Sequence, residues 1–252
     1  MQLSIMTWNL WADDMPGARW RDRAPYILAF LQSEPVDVIG FQEVTRERIE
    51  DIHKHMPQYT WAGEGREGGE QGEYNPIFYR HDLFECLEQK TFWLSQSPLI
   101  PSHSWDSIYP RICTVCRLRL RAEGEGPVLA VMNTHLDHWG YRARRESAQI
   151  LRGYAGTLPV EEAMILMGDF NCGINTEPLQ KILADNFFQD LATTGHTQKT
   201  WRGWYGTGIG SARLDLIMGR HLRATEYGIR HPGPVKRSSD HFPVVADVES
   251  GQ

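Results

Sequence analysis

Apolar and polar residues alternate at the start of the chain, with Leu3 and Ile5 on one side and Thr7 following them, which predicts a half-buried strand. Over residues 18–32 the spacing becomes helical, with Tyr26, Ile27, Phe30 and Leu31 on one stripe. Pro25 falls inside that stripe, so the first turn is expected to be a separate short piece. Residues 36–42 read as a short apolar strand and 46–56 as a second helix, an α/β opening. The stretch 63–72 is rich in glycine and glutamate and is expected to be a loop. Strand patterns follow at 77–79, 91–94, 111–120 and 128–133. A helix is expected over 142–154, a fully apolar strand over 163–167 and a short helix over 179–185. Late strands are expected at 214–218 and 244–248. Strands outnumber helices and both are spread along the chain, which favours two packed sheets with helices outside.

Composition changes this picture little. The 252 residues, 41% hydrophobic and 23% charged, suit one domain over 1–252 with a core of its own and no internal repeat. The net charge of −6 lowers the case for a protein that grips long nucleic acid through its backbone. Of the four cysteines only Cys113 and Cys116 are close, on a predicted strand where residues three apart face opposite sides. Buried thiols are expected there, rather than a zinc site or a disulfide. The opening residues have no basic segment followed by an apolar one, and no apolar run approaches membrane-span length. A cytoplasmic protein with no membrane or protein partner is the expectation.

Polar residues recur where predicted strands end: Asn9, Glu43, His135, Asp169 with Asn171, and Asp240 with His241. Each has a plain structural reading. Asn9 suits a turn, Glu43 a helix start, and Asp169 with Asn171 an Asx turn. His135 suits a satisfied buried histidine and Asp240 a cap. Together they are an inventory for metal-assisted phosphoester hydrolysis. Asp, Glu and Asn oxygens suit Mg²⁺, and histidines can hold a phosphoryl oxygen or move a proton. Asp215, on a strand, can orient a histidine. No Gly-x-Ser-x-Gly elbow and no Walker loop is present.

The order Thr7-Trp8-Asn9-Leu10, Phe41-Gln42-Glu43-Val44, Asn133-Thr134-His135-Leu136, Gly168-Asp169-Phe170-Asn171, Leu214-Asp215-Leu216-Ile217 and Ser239-Asp240-His241-Phe242-Pro243-Val244 resembles the endonuclease/exonuclease/phosphatase superfamily, the deoxyribonuclease I-like fold. The resemblance runs from Thr7 to Val244. It implies a four-layer α/β sandwich, with two mixed, mainly antiparallel sheets face to face and helices outside. It also implies roles. Glu43 is the principal metal ligand, assisted by Asn9 and Asp240. His241, paired with Asp215, meets the scissile phosphate and in many accounts is the general base. Asp169 and Asn171 position the attacking water or the phosphate, and His135 donates to a phosphate oxygen. The cofactor implied is Mg²⁺, with Mn²⁺ as substitute.

The segments 63–69, 72–79 and 91–95 look like a bacterial subgroup nearer the nocturnin-like branch. There Glu73 and Asn75 are either substrate groups or part of a solvated hairpin. Arg111 is either a phosphate clamp or one half of a surface salt bridge. Asp137 either steadies a nearby basic group or is solvated. Trp201 and Trp204, in a segment that interleaves aromatic and basic residues, either stack on a base or sugar or staple a loop to the sheet. Three functions follow. The first is a phosphoesterase for a small or medium phosphorylated substrate, which can contain a nucleotide or a sugar. The second is a nuclease on RNA or single-stranded ends. The third is a non-catalytic phosphate-binding module.

Overall fold

The computed structural model describes residues 2–12, 19–122, 125–192, 198–203, 208–233 and 238–251. The first half of the chain forms β1 (Gln2–Asn9), α1 (Trp20–Ser33), β2 (Val38–Gln42), α2 (Arg46–His55), β3 (Tyr59–Ala62), β4 (Ile77–Arg80), β5 (Phe84–Trp93) and β6 (Ile112–Leu120). The second half forms β7 (Val128–His135), α3 (Tyr141–Ala155), β8 (Ala163–Asp169), α4 (Glu177–Leu183), β9 (Gln189–Asp190), β10 (Asp215–Arg220), β11 (Leu222–Ile229) and β12 (Val244–Ser250).

These strands make two six-stranded sheets, ordered β11-β12-β1-β2-β4-β3 and β5-β6-β7-β8-β10-β9. Each has one parallel pair at its centre, β1 with β2 and β7 with β8. Those pairs are the ones joined through helices, α1 and α3, as a parallel connection requires. The other pairings are antiparallel, so the expected mixed sandwich is the fold observed.

Three apolar clusters separate four layers. One lies between the sheets, with Ile5, Val38 and Val244 meeting Val131, Ile165 and Ile217. A second packs Met6, Trp8 and Phe41 under Ile27, Leu31, Ile49 and Ile52 of α1 and α2. A third packs Met132, Leu166 and Leu216 under Leu151, Leu179 and Ile182 of α3 and α4. Central strands are thus buried on both faces, which is why residues 163–167 read as one apolar run. Cys113 faces the helix-side core and Cys116 the core between sheets, and all four cysteines are free thiols.

Two expectations about α1 change. The helix runs through Pro25, because the ring is exposed and the carbonyl it leaves unpaired lies in the solvated first turn. Its buried stripe is Arg23, Ala24, Ile27, Leu28 and Leu31, rotated from the predicted one. Residue 18, the expected start of that helix, lies outside the described residues. Among the described residues no helix is long and apolar enough to cross a membrane.

Candidate active site

Strand register gathers the polar strand ends at one end of the sandwich. Asn9 is paired with Gln42, so Glu43 follows immediately beside it. His135 is paired with Asp169, and Asp169 with Asp215. On the other sheet Thr7 is paired with Val244, which sets Asp240 and His241 beside the end of β1.

Backbone geometry at these ends is unusual. Glu43 and Asn171 have positive φ, 59° and 49°, a region that side-chain-bearing residues rarely adopt and that is often maintained at functional sites. Gly168 has φ 144°, and a Cβ there would lie 1.9 Å from the Thr134 carbonyl oxygen. Only glycine allows β8 to approach β7 this closely just before Asp169. Between the sheets, Asn133 donates to the carbonyls of Phe41 (2.8 Å) and Pro76 (2.9 Å) and accepts from Gln42 (2.7 Å). A buried polar bolt therefore holds the two halves of the site in register.

The side chains meet in a connected set. His241 Nδ1 is 2.8 Å from Asp215 Oδ2, and its Nε2 is 3.7 Å from Asp169 Oδ2. Asn9 Nδ2 donates both to Asp169 Oδ2 (3.0 Å) and to Glu43 Oε1 (2.9 Å). Glu43 Oε2 accepts from the Ala12 amide at 2.6 Å. Asn171 Nδ2 donates to the Leu136 carbonyl at 2.9 Å, and its other proton faces His135 Nε2 at 2.9 Å. That nitrogen is therefore an acceptor here, with the imidazole proton on Nδ1. Trp201 Nε1 lies 3.3 Å from Asp240 Oδ2.

Charge states follow from these neighbours. Burial alone would lower the His241 pKa, but Asp215 and Asp169 outweigh it and hold the ring well above the ordinary imidazole value. His135 goes the other way, pushed well down by burial and then by Arg111. Burial is the main cause that raises Asp169 to about 7, with His241 opposing and Asp215 adding to the rise. Asp240 is also raised, by burial first, with Glu43 adding to the rise against the opposing pull of His241.

Glu43, His135, Asp169, Asn171, Asp240 and His241 line a cavity of about 850 Å³ with Glu73, Arg111 and Trp201, while Asn9 and Asp215 are fully buried and do not border it. Arg111 is buried, not on the surface; its Nε donates to Asp137 Oδ2 at 3.3 Å and its Nη2 meets His138 Nδ1 at 2.9 Å. Asn75 is brought elsewhere: it is buried beneath Arg111, its amide donating to the Ile112 carbonyl at 2.9 Å. Trp204 lies outside the described residues.

Two arginines escaped the sequence reading. Arg23 donates to the carbonyls of Leu10 and Trp11, both at 2.7 Å, and Arg48 to those of Trp11 (3.0 Å) and Ala12 (2.9 Å). Together they fix the loop whose Ala12 amide holds Glu43. The available signal was an arginine on each apolar stripe, four residues before Ile27 and before Ile52.

The donor set fits a divalent cation. Among the described residues Asp240 Oδ1 and Asp215 Oδ1 are buried oxygens with no hydrogen-bond partner, and carboxylate oxygens are what Mg²⁺ and Mn²⁺ take, whereas Asn9 Oδ1 already accepts from the Trp11 amide at 2.9 Å. Asp169, Asp215 and His241 also bring one donor atom each within 4.8 Å of one another. In that trio, however, Asp215 Oδ2 and His241 Nδ1 already bind each other.

A sequence model described as the Endonuclease/Exonuclease/phosphatase family matches residues 6–241. A comparison with curated proteins finds no match. Among solved structures, an endonuclease/exonuclease/phosphatase from Bacteroides vulgatus is 27% identical with a TM-score of 0.91, covering 99% of each chain. A mannosyl-6-phosphatase from Bacteroides thetaiotaomicron is 27% identical with a TM-score of 0.81, over 98% of this chain and 99% of its own. The human Nocturnin catalytic domain with bound sulfate, 17% identical with a TM-score of 0.71 over 99% of this chain and 94% of its own, shares the fold.

Proposed function

The chain belongs to the endonuclease/exonuclease/phosphatase family and is a hydrolase acting on phosphoester bonds; from that premise we propose a Mg²⁺-dependent phosphoesterase, with Mn²⁺ as substitute, acting on a small or medium phosphorylated substrate. The observation that carries this reading is the Asp215–His241 pair, 2.8 Å apart and aimed at Asp169 within the cavity that also holds Glu43 and Asp240.

Glu43 and Asp240 would hold the ion; Asn9 would join them only with its amide turned over, because its Nδ2 now faces Glu43 and its Oδ1 accepts from the Trp11 amide at 2.9 Å. Bound there, it supplies Lewis-acid polarisation of the phosphoryl group. His241, kept protonated by Asp215, donates to a phosphoryl oxygen, and as water attacks, the ester P–O bond breaks and the leaving oxygen takes a proton from solvent to depart as the alcohol. Asp169 and Asn171 orient the attacking water, and Asp169, whose pKa is raised to about 7, accepts its proton. Arg111 presents a guanidinium to the phosphate and is held in place by Asp137. His135 borders the same oxygens, 3.6 Å from Asp169 Oδ2 and 4.0 Å from Glu43 Oε1. Donation by its Nε2 requires that nitrogen to carry the proton, with the Asn171 amide turned aside.

The cavity volume lies in the range of small-molecule sites, and the acidic net charge does not favour a long polyanion. The resemblance to a mannosyl-6-phosphatase supports a phosphomonoester. A nuclease for RNA or single-stranded ends is the second reading, favoured by Trp139 and Trp201 in the lining. The assembled set of competent residues disfavours a non-catalytic phosphate-binding module. A panel of phosphomonoesters, phosphodiesters and oligonucleotides, with Mg²⁺ and with Mn²⁺, tests the reading. Turnover of small monoesters with flat salt dependence is expected. Turnover confined to oligonucleotides, with steep salt dependence, would replace it with the nuclease.

A further inference from the structure

The cavity also carries residues that the proposed phosphate and metal contacts leave out. Arg66 Nη1 donates to Glu73 Oε2 at 2.8 Å, and both side chains are largely buried, 15% and 23% exposed. Among the described residues no donor meets the second Glu73 oxygen at hydrogen-bond distance. The Arg66 guanidinium lies 4.7 Å from the centre of the Tyr109 ring. Tyr109 stacks on His138 at 6.4 Å, and His138 leads to Trp139 at 5.5 Å. Tyr109 and Trp139 are 44% and 63% exposed, so this run of rings presents aromatic surface to solvent. All of these groups border the one cavity.

A carboxylate beside a guanidinium offers an acceptor and donors a few ångströms apart. Adjacent hydroxyl groups match that pattern, because each both donates and accepts. A flat aromatic surface next to it suits a ring whose one face is apolar C–H. A second phosphate or a carboxylate would meet repulsion from Glu73. The backbone supports a built feature: the Arg66 amide donates to the Glu73 carbonyl at 2.9 Å, and Trp93 Nε1 donates to the Arg66 carbonyl at 2.7 Å.

We infer that Glu73, Arg66, Tyr109 and Trp139 form a hydroxyl-binding subsite for the leaving group, and that this leaving group is a sugar carrying adjacent free hydroxyls. The inference rests on the phosphoesterase reading and deepens it. The phosphate sits between Arg111 and His241, and the sugar extends over Glu73 towards the aromatic rim.

The test compares a hexose 6-phosphate with n-butyl phosphate, whose leaving group has no further hydroxyl. The wild-type protein should prefer the sugar ester in kcat/KM by tenfold or more. Glu73→Gln should cut that preference at least tenfold. Trp139→Ala, a change at an exposed side chain, should cut it severalfold, chiefly through KM. Equal turnover of the two esters by the wild type overturns the subsite while leaving the phosphoesterase standing. So does a preference that neither variant alters. Absence of turnover of every phosphoester overturns the proposed function, and the subsite with it.

Discussion

Asp215 belongs to one sheet and His241 to the segment that leads into the other, yet His241 Nδ1 is 2.8 Å from Asp215 Oδ2. Asp215 opens β10, and His241 lies just ahead of β12. The pair thus reports the packing of the two halves as well as the state of the imidazole. Asp215→Asn should leave the fold intact, because an amide fits the same space, but it cannot stabilise an imidazolium. Turnover should fall on the order of 10³-fold or more, as when a buried aspartate partner of a catalytic histidine is neutralised. His241→Ala should abolish turnover while metal still binds by calorimetry. Activity within tenfold of wild type in either variant would remove the assigned role.

Glu43 connects the metal proposal to a backbone feature. Its φ of 59° and its bond from the Ala12 amide aim the carboxylate at Asn9. Glu43→Gln should weaken Mg²⁺ and Mn²⁺ binding and lower turnover by about two orders of magnitude or more, the scale for loss of one electrostatic group in a water-poor site. Far-ultraviolet circular dichroism should be unchanged. Chelation of divalent ions should stop the wild-type enzyme, and added Mg²⁺ or Mn²⁺ should restore it. Turnover that survives chelation would refute metal dependence.

Asp137 carries a stability prediction. Burial pushes its carboxyl up, but the Gly140 amide, Arg111, the Trp139 amide and Ser107 outweigh that and hold it below the ordinary carboxylate range. A folded-state pKa below the unfolded one contributes stability that is present above the unfolded value, near 4, and lost as pH falls through the folded value. Asp137→Ala should cost about 3 kcal/mol at neutral pH, because it strands the buried Arg111 guanidinium. The variant should also lose less stability than wild type between pH 5 and pH 2. Urea denaturation across that window measures both effects, and parallel curves would contradict the linkage.

Gly168 tests the close approach of β8 to β7. Gly168→Ala meets a positive φ and the Thr134 carbonyl at once, so it should destabilise by about 2 kcal/mol or more. Turnover should fall further than stability alone explains, since Asp169 is the next residue. A variant with wild-type Tm would show that the backbone relaxes there without consequence.

Periodicity revealed the central strands and hid the edges. The strands missed, β11, β3 and β9, and the one read at less than half its length, β5, are the four outer strands of the two sheets, whereas inner strands are read short by at most two residues at an end. Edge strands bury fewer side chains and carry charge on their open side, as β5 does at Glu85, Glu88 and Lys90. Their apolar–polar contrast is therefore weak. The central strands, buried on both faces, have a signal that survives without alignment or template.

The sequence alone determined the order of the strand-end motifs and the residue types in them, because burial sets local periodicity and chemistry sets which side chains can hold an ion or move a proton. Tertiary structure decided which of those side chains meet. Ser239 bonds the Asn9 carbonyl across 230 residues of chain, and Arg111 is buried against Asp137 instead of standing on the surface. Arg23 and Arg48 support Glu43 through a loop that neither adjoins in sequence. Such contacts depend on how two sheets pack and register, a property of the whole apolar interface that no short window of residues encodes.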